Sequence, residues 1–159
     1  MCAAYNKTPK RILIIDDDLD LLMLLERNLQ KEGYDVETAA KLSEAEEIIP
    51  QFKPHLILLD INVNGEDGRK LSWKLKMSTD ALSVKVIVMS GYDYNKGRAA
   101  LFGADELLPK PFEIEYLLQR LDVHLHFPGA QPELIVPNVS AKTENKKSLL
   151  LRLFSIMMS

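Results

Sequence analysis

Cysteine is nearly missing from this chain: Cys2 is the single one in 159 residues. A lone thiol can close no internal disulfide and build no cysteine metal cluster, and it favours a reducing, cytoplasmic setting. Long apolar runs are missing as well. Nothing approaches the ~18 residues of a membrane span, and the opening "MCAAYNKTPKR" is too polar and too short for a secretory leader. No sign of charge dominates. The net charge of −3 gives no general attraction to nucleic acid. There is no internal repeat and no low-complexity tract. What remains is 47% hydrophobic and 27% charged residues, an ordinary composition for one globular domain with a real core.

Periodicity divides that domain into alternating pieces. "RILII" (11–15), "DVETA" (35–39), "HLILLD" (55–60), "VKVIVMS" (84–90) and "DELLP" (105–109) read as strands. Between and after them lie helical patterns. The first follows Asp18 as N-cap and stops at Gly33. The second starts at Ser43 with Glu46 at capping-box spacing and ends at Pro50. "GRKLSWKLKM" and "NKGRAALFG" are the third and fourth. The last, "EIEYLLQRLDVHL", carries Ile114, Leu117, Leu118, Leu121 and Leu125 on one stripe. Five repeats of strand then helix demand right-handed crossovers and a parallel sheet covered on both faces. The pattern breaks near residue 127. The expected organisation is a domain over 8–126, a linker over 127–147 and a short apolar segment, "SLLLRLFSIMMS", over 148–159. The tail carries a net +2. Its final segment is too short to span a bilayer and too apolar to stand free in water, so it is expected to make a contact.

Ligands of an open parallel sheet sit outside the carboxyl ends of its strands. Strand one delivers Asp16, Asp17 and Asp18 there, strand three delivers Asp60, strand four Ser90-Gly91, and Lys110-Pro111 follows strand five. Two carboxylates ~4 Å apart repel by about 4 kcal/mol at an effective dielectric near 20. Asp16, Asp17 and Asp60 in one pocket therefore call for a cation. Mg²⁺ takes oxygen ligands and usually shares its site with a phosphoryl group. Lys110 adds a fixed cation and Ser90 a hydroxyl. Together they suit phosphoryl transfer to a carboxylate nucleophile, and Asp60, at the end of the third and central strand, is the candidate.

The chain resembles the receiver domain of bacterial two-component response regulators over about residues 10–126. "ILIIDDD", "LILLDINVNGEDG", "VIVMSG" and "GADELLPKPF" carry the likeness. The resemblance implies a flavodoxin-like (βα)5 doubly wound parallel sheet of order 2-1-3-4-5. It implies phosphorylation of Asp60 by a histidine kinase or phosphotransfer protein, with Mg²⁺ held by Asp16, Asp17, Asp60 and the carbonyl of Asn62. Ser90 would contact the phosphoryl group and move on activation. Lys110 would pair with its oxygens, and Pro111 would follow a cis peptide. Leu107 occupies a switch position that is often aromatic. Leu19 and Met23, opposite the core stripe of Leu21, Leu22, Leu25 and Leu29, would lie on the face that receives the donor. Val63-Asn64 stands where a Met-Pro pair is usual, which suggests a more mobile loop.

Other functions fit less well. A phosphatase of the haloacid dehalogenase type needs a second acid two residues after the nucleophile, and Asn62 stands there. A flavodoxin-type carrier needs a hydroxyl-rich phosphate loop after strand one, where "DDDLD" would repel the phosphate. A transcription factor needs a further domain, and after residue 126 there are 33 residues without a basic recognition helix. The expectation is a stand-alone signalling receiver, monomeric or dimerising on phosphorylation. It would act through protein contacts and bind no nucleic acid itself. Its only reaction would be its own phosphorylation and dephosphorylation.

Overall fold

The structure is a computed structural model and describes residues 8–78, 83–91 and 103–126. The expected helix over 95–103 lies mostly outside these residues, and the linker and apolar segment after 126 lie wholly outside them.

Five strands form one parallel sheet: β1 (Arg11–Ile15), β2 (Asp35–Ala39), β3 (Leu56–Asp60), β6 (Lys85–Ser90) and β7 (Glu106–Pro109). Their spatial order is β2-β1-β3-β6-β7, the 2-1-3-4-5 order that the family resemblance implies. The helices are α1 (Leu19–Lys31), α2 (Leu42–Phe52), α3 (Arg69–Met77) and α4 (Ile114–His126). Between β3 and α3 lies a short hairpin, β4 (Asn62–Val63) with β5 (Glu66–Asp67).

The period of two along the strands builds two cores. Ile12, Ile14, Leu56, Leu58, Ile87, Met89 and Leu108 face α1 and α4, and pack on Leu22, Leu25, Leu29, Leu117, Leu121 and Leu125. Leu13, Ile15, Ile57, Leu59, Val86 and Val88 face α2 and α3, and pack on Ala45, Leu71 and Leu75. Each buried Leu or Ile contributes about 1.5–3 kcal/mol, against about 1 kcal/mol for a helix cap. The aliphatic strands therefore dominate the fold, and β3, buried on both faces up to Leu59, is its axis.

Helix α1 begins as read from the sequence. Asp18 Oδ1 accepts from the amides of Asp20 and Leu21, both at 3.1 Å. It ends at Gly33, whose φ of 89° favours glycine. Of the expected core stripe, Leu22, Leu25 and Leu29 are buried and Leu21 is half-buried against them.

Helix α2 differs at both ends. Its N-cap is Lys41, without a side-chain bond. Glu44 reaches back to the amide of Ala40 at 2.9 Å, so the reciprocal box expected at Ser43 and Glu46 does not form. Pro50 lies inside the helix, which runs on to Phe52. Lys53 closes it with φ 50°, its amide donating to Ile49 at 2.9 Å. Pro50 cannot donate to the carbonyl four residues back and its ring crowds it, so the helix forgoes one ladder bond and ends two residues later at Phe52.

At the sheet edge, Glu106 on β7 receives two charge-assisted bonds from Arg120 on α4, at 2.6 and 2.8 Å. His124 Nε2 lies 2.6 Å from the same carboxylate. Burial works to raise the Glu106 pKa, but the His124 and Arg120 contacts outweigh it and hold the carboxyl below its usual range. Arg120 is itself buried, so this cluster pins α4 to β7.

Candidate functional site: an acidic pocket at the strand ends

The parallel register brings the sequence-predicted residues to one end of the sheet. Asp16 follows β1, its amide donating to Ala39 at 3.2 Å. Asp60 closes β3 opposite Met89 of β6, and Ser90 is one residue further along that strand. Lys110 follows β7, and its amide donates to the Ser90 carbonyl at 2.6 Å. The Lys110–Pro111 peptide is cis. Asp16, Asp17 and Asp60 each place a carboxylate oxygen within 4.8 Å of the other two.

The three acids are held differently. Asp16 is 1% exposed. Its Oδ1 accepts from the Asp18 amide at 2.9 Å and its Oδ2 from Lys110 Nζ at 2.5 Å. Asp60 is half-buried, with Oδ1 3.3 Å from Lys110 Nζ. Asp17 faces solvent, and its Oδ2 accepts from the Asn64 amide at 3.1 Å.

The charges perturb one another. Burial raises the Asp60 pKa first. Lys110 pulls it down, while Asp16 and then Asp17 push it up, and the net effect is upward. Lys110 shows the reverse balance. Burial disfavours its charge, yet the bond and attraction from Asp16 and the pull of Asp60 outweigh burial and raise its pKa. Lys110 thus stays protonated and bridges two of the acids. A cluster of three hard oxygen donors with one lysine still leaves excess negative charge, which suits a small hard cation such as Mg²⁺. Asn62 lies on β4, two residues after Asp60.

The loop after Asp60 is a hairpin built on Val63-Asn64. Asn64-Gly65 forms a two-residue turn with φ values of 53° and 83°, the backbone of a type I′ hairpin. Val63 is fully buried. The Asn64 side chain donates to the Ala40 carbonyl at 2.8 Å. Asn-Gly is the strongest short hairpin signal, so the sequence carried the cue.

Two further residues near the pocket in sequence were not singled out. Gly68 donates to the Ile61 carbonyl at 2.7 Å. A Cβ at Gly68 would lie 2.2 Å from the Asp60 carbonyl oxygen, so only glycine lets α3 start against the end of β3. Phe112, two residues after Lys110, packs against the α1–α4 core. Leu107 is half-buried among residues of the α2–α3 core. Leu19 and Met23 on α1 are 64% and 54% exposed. Among the described residues, no helix is long and apolar enough to cross a membrane.

Comparison with known proteins agrees with this arrangement. A signal receiver domain from Bermanella marisrubri is 34% identical, with 71% of this chain and 95% of that one covered and a TM-score of 0.65. The response regulator TrrA of Thermotoga maritima, solved with Mg²⁺ and beryllofluoride, is 28% identical over 73% of this chain and 99% of that one, with a TM-score of 0.65. A two-component response regulator from Clostridium difficile is 26% identical over 76% and 99%, with a TM-score of 0.69. The family profile described as the response regulator receiver domain matches residues 12–122. Fold, pocket and sequence therefore agree, and the chain belongs to the response regulator receiver domain family of two-component signalling.

Proposed function

We propose that Asp60 is a phosphoacceptor, charged by a histidine kinase or phosphotransfer protein in a Mg²⁺-dependent reaction in the cytoplasm. The observation that carries this reading is the convergence of Asp16, Asp17 and Asp60 within 4.8 Å, with Lys110 3.3 Å from Asp60, at the end of a rigid central strand. Asp16, Asp17, Asp60 and the Asn62 carbonyl would hold the ion. When bound, Mg²⁺ supplies positive charge that screens the donor's phosphoryl oxygens from the acids.

The remaining work falls to the chain. Strand β3 fixes the Asp60 carboxylate, so the nucleophile is aimed without an ordering cost at the moment of reaction. A carboxylate oxygen of Asp60 attacks phosphorus, the bond from phosphorus to the donor imidazole nitrogen breaks, and the nitrogen leaves with the electron pair. Lys110 offers its ammonium to a phosphoryl oxygen, and Ser90 offers a hydroxyl to another. Hydrolysis by water returns the carboxylate and inorganic phosphate. Beyond this self-phosphorylation and self-dephosphorylation we assign no enzymatic activity. Because Lys110 and Ser90 are joined through a backbone bond of 2.6 Å, engagement of one draws on the other. That link supports a switch in which Ser90 and β7, with Leu107, respond together and alter a surface read by a downstream protein.

The test is labelling with acetyl phosphate, with and without Mg²⁺, followed by intact mass. The wild-type chain should gain one phosphoryl group only with Mg²⁺. A gain that persists in Asp60→Asn refutes the assignment. Replacing Asp16 and Asp17 together with Ala should abolish labelling.

A further inference from the structure

We infer that Asn64 is a positioning residue for the cation site, acting through Asp17; this rests on the Mg²⁺ reading above. Of the three clustered acids, Asp17 is the one on the solvent side. Asp16 is clamped by Lys110 and the Asp18 amide. Asp60 stands at the end of a buried strand and is paired with Lys110. An exposed carboxylate is otherwise free to rotate, and fixing it on metal binding costs side-chain entropy. The Asn64 amide holds one oxygen of Asp17, at 3.1 Å, and leaves the other for a ligand.

That amide points at Asp17 because of two features of residue 64. Its φ of 53° turns the backbone into the left-handed region, which asparagine tolerates far better than most residues. Its side chain donates to the Ala40 carbonyl at 2.8 Å, just beyond the end of β2. Asn64 therefore fastens the hairpin tip to two loops at once, the one after β1 and the one after β2. Val63, fully buried beneath it, stops the tip from sliding. The proline usual at this place in the family could do neither job. It has no N–H, and its ring fixes φ near about −65°. This chain thus secures its outer metal ligand by a device of its own.

The experiment is calorimetric titration of the full chain with Mg²⁺, comparing wild type with Asn64→Gly and Asn64→Pro. Gly keeps the backbone angle and the N–H but loses the anchor to Ala40. Pro loses both the N–H and the anchor. Affinity should fall about threefold for Gly, the range of one neutral hydrogen bond, and about thirtyfold for Pro, which forgoes a charge-assisted bond as well. In wild type, Mg²⁺ should also slow hydrogen exchange of the residue 64 amide. Wild-type affinity in both variants overturns the inference. If Asn64→Pro does not fold, wild-type affinity in Asn64→Gly together with unchanged exchange at residue 64 overturns it equally. Failure of wild type itself to bind Mg²⁺ would instead sink the underlying reading, and this inference with it.

Discussion

Neutralising Asp60 should make the metal-free protein more stable. Asp16 and Asp17 each hold an oxygen within 4.8 Å of Asp60. At that distance each repels it by about 3.5 kcal/mol at an effective dielectric near 20. Lys110, at 3.3 Å, returns about 5 kcal/mol on the same scale. Water around Asp17 weakens its share, while burial of Asp60 adds to the cost of its charge. The balance leaves ionised Asp60 unfavourable by about 1–3 kcal/mol. Asp60→Asn should therefore raise the urea unfolding free energy by that amount at neutral pH, without Mg²⁺. The sign with pH follows from the raised pKa. Between the unfolded value near ~3.9 and the higher folded value, the folded state binds more protons than the unfolded one. The contribution of this group to stability thus falls as pH rises through that window. The advantage of Asp60→Asn should be complete above the folded pKa and vanish in acid. Mg²⁺ should close the gap by stabilising wild type more than the variant. Urea titrations at several pH values measure all three effects. An Asp60→Asn protein less stable than wild type at neutral pH would refute the account of the pocket as an electrostatically strained site.

Gly68→Ala should lower stability by more than about 2 kcal/mol, the range for overpacking against backbone, since the new methyl meets the Asp60 carbonyl at 2.2 Å. Thermal or urea unfolding checks this, and an unchanged midpoint would contradict the close approach. Glu106→Ala should cost about 3–5 kcal/mol by stranding the buried Arg120 charge. Because the Glu106 pKa is depressed, its contribution should be complete above the unfolded carboxyl value and be lost as pH falls through the lower folded one. A pH series of unfolding curves would show otherwise if the variant matched wild type. Met23→Lys, on the exposed face of α1, should slow transfer from the cognate donor protein and spare acetyl phosphate labelling. Equal slowing of both would point to a folding defect instead.

The sequence disclosed what repeats and what ends strands. The aliphatic runs of β1, β3 and β6 fixed their own boundaries to within a residue, because a strand buried on both faces tolerates no polar break. Asp16, Asp60, Ser90 and Lys110 were legible for the same reason, since each is the first chemistry-bearing residue at or after a strand end. Residues defined by distant partners were not. Asn64 reaches Asp17 across 47 positions, and no local pattern carries that pairing. Arg120 and His124 lie off the apolar stripe of α4 that periodicity marks, yet both turn inward to Glu106. The start of α2 was misplaced because its N-cap, Lys41, makes no side-chain bond, and Glu44 rather than Glu46 reaches back, to the Ala40 amide.

The single tryptophan gives the protein a built-in optical gauge. Trp73 lies in the second turn of α3 and is 53% exposed, so its emission is poised between buried and aqueous values and can move either way. The first turn of that helix rests on the Asp60–Ile61 backbone through Gly68. Any tilt of α3 that follows a change at the pocket alters the water around one indole, with no competing tryptophan to dilute the signal. Occupancy of the pocket can then be followed by fluorescence in real time on the unlabelled chain.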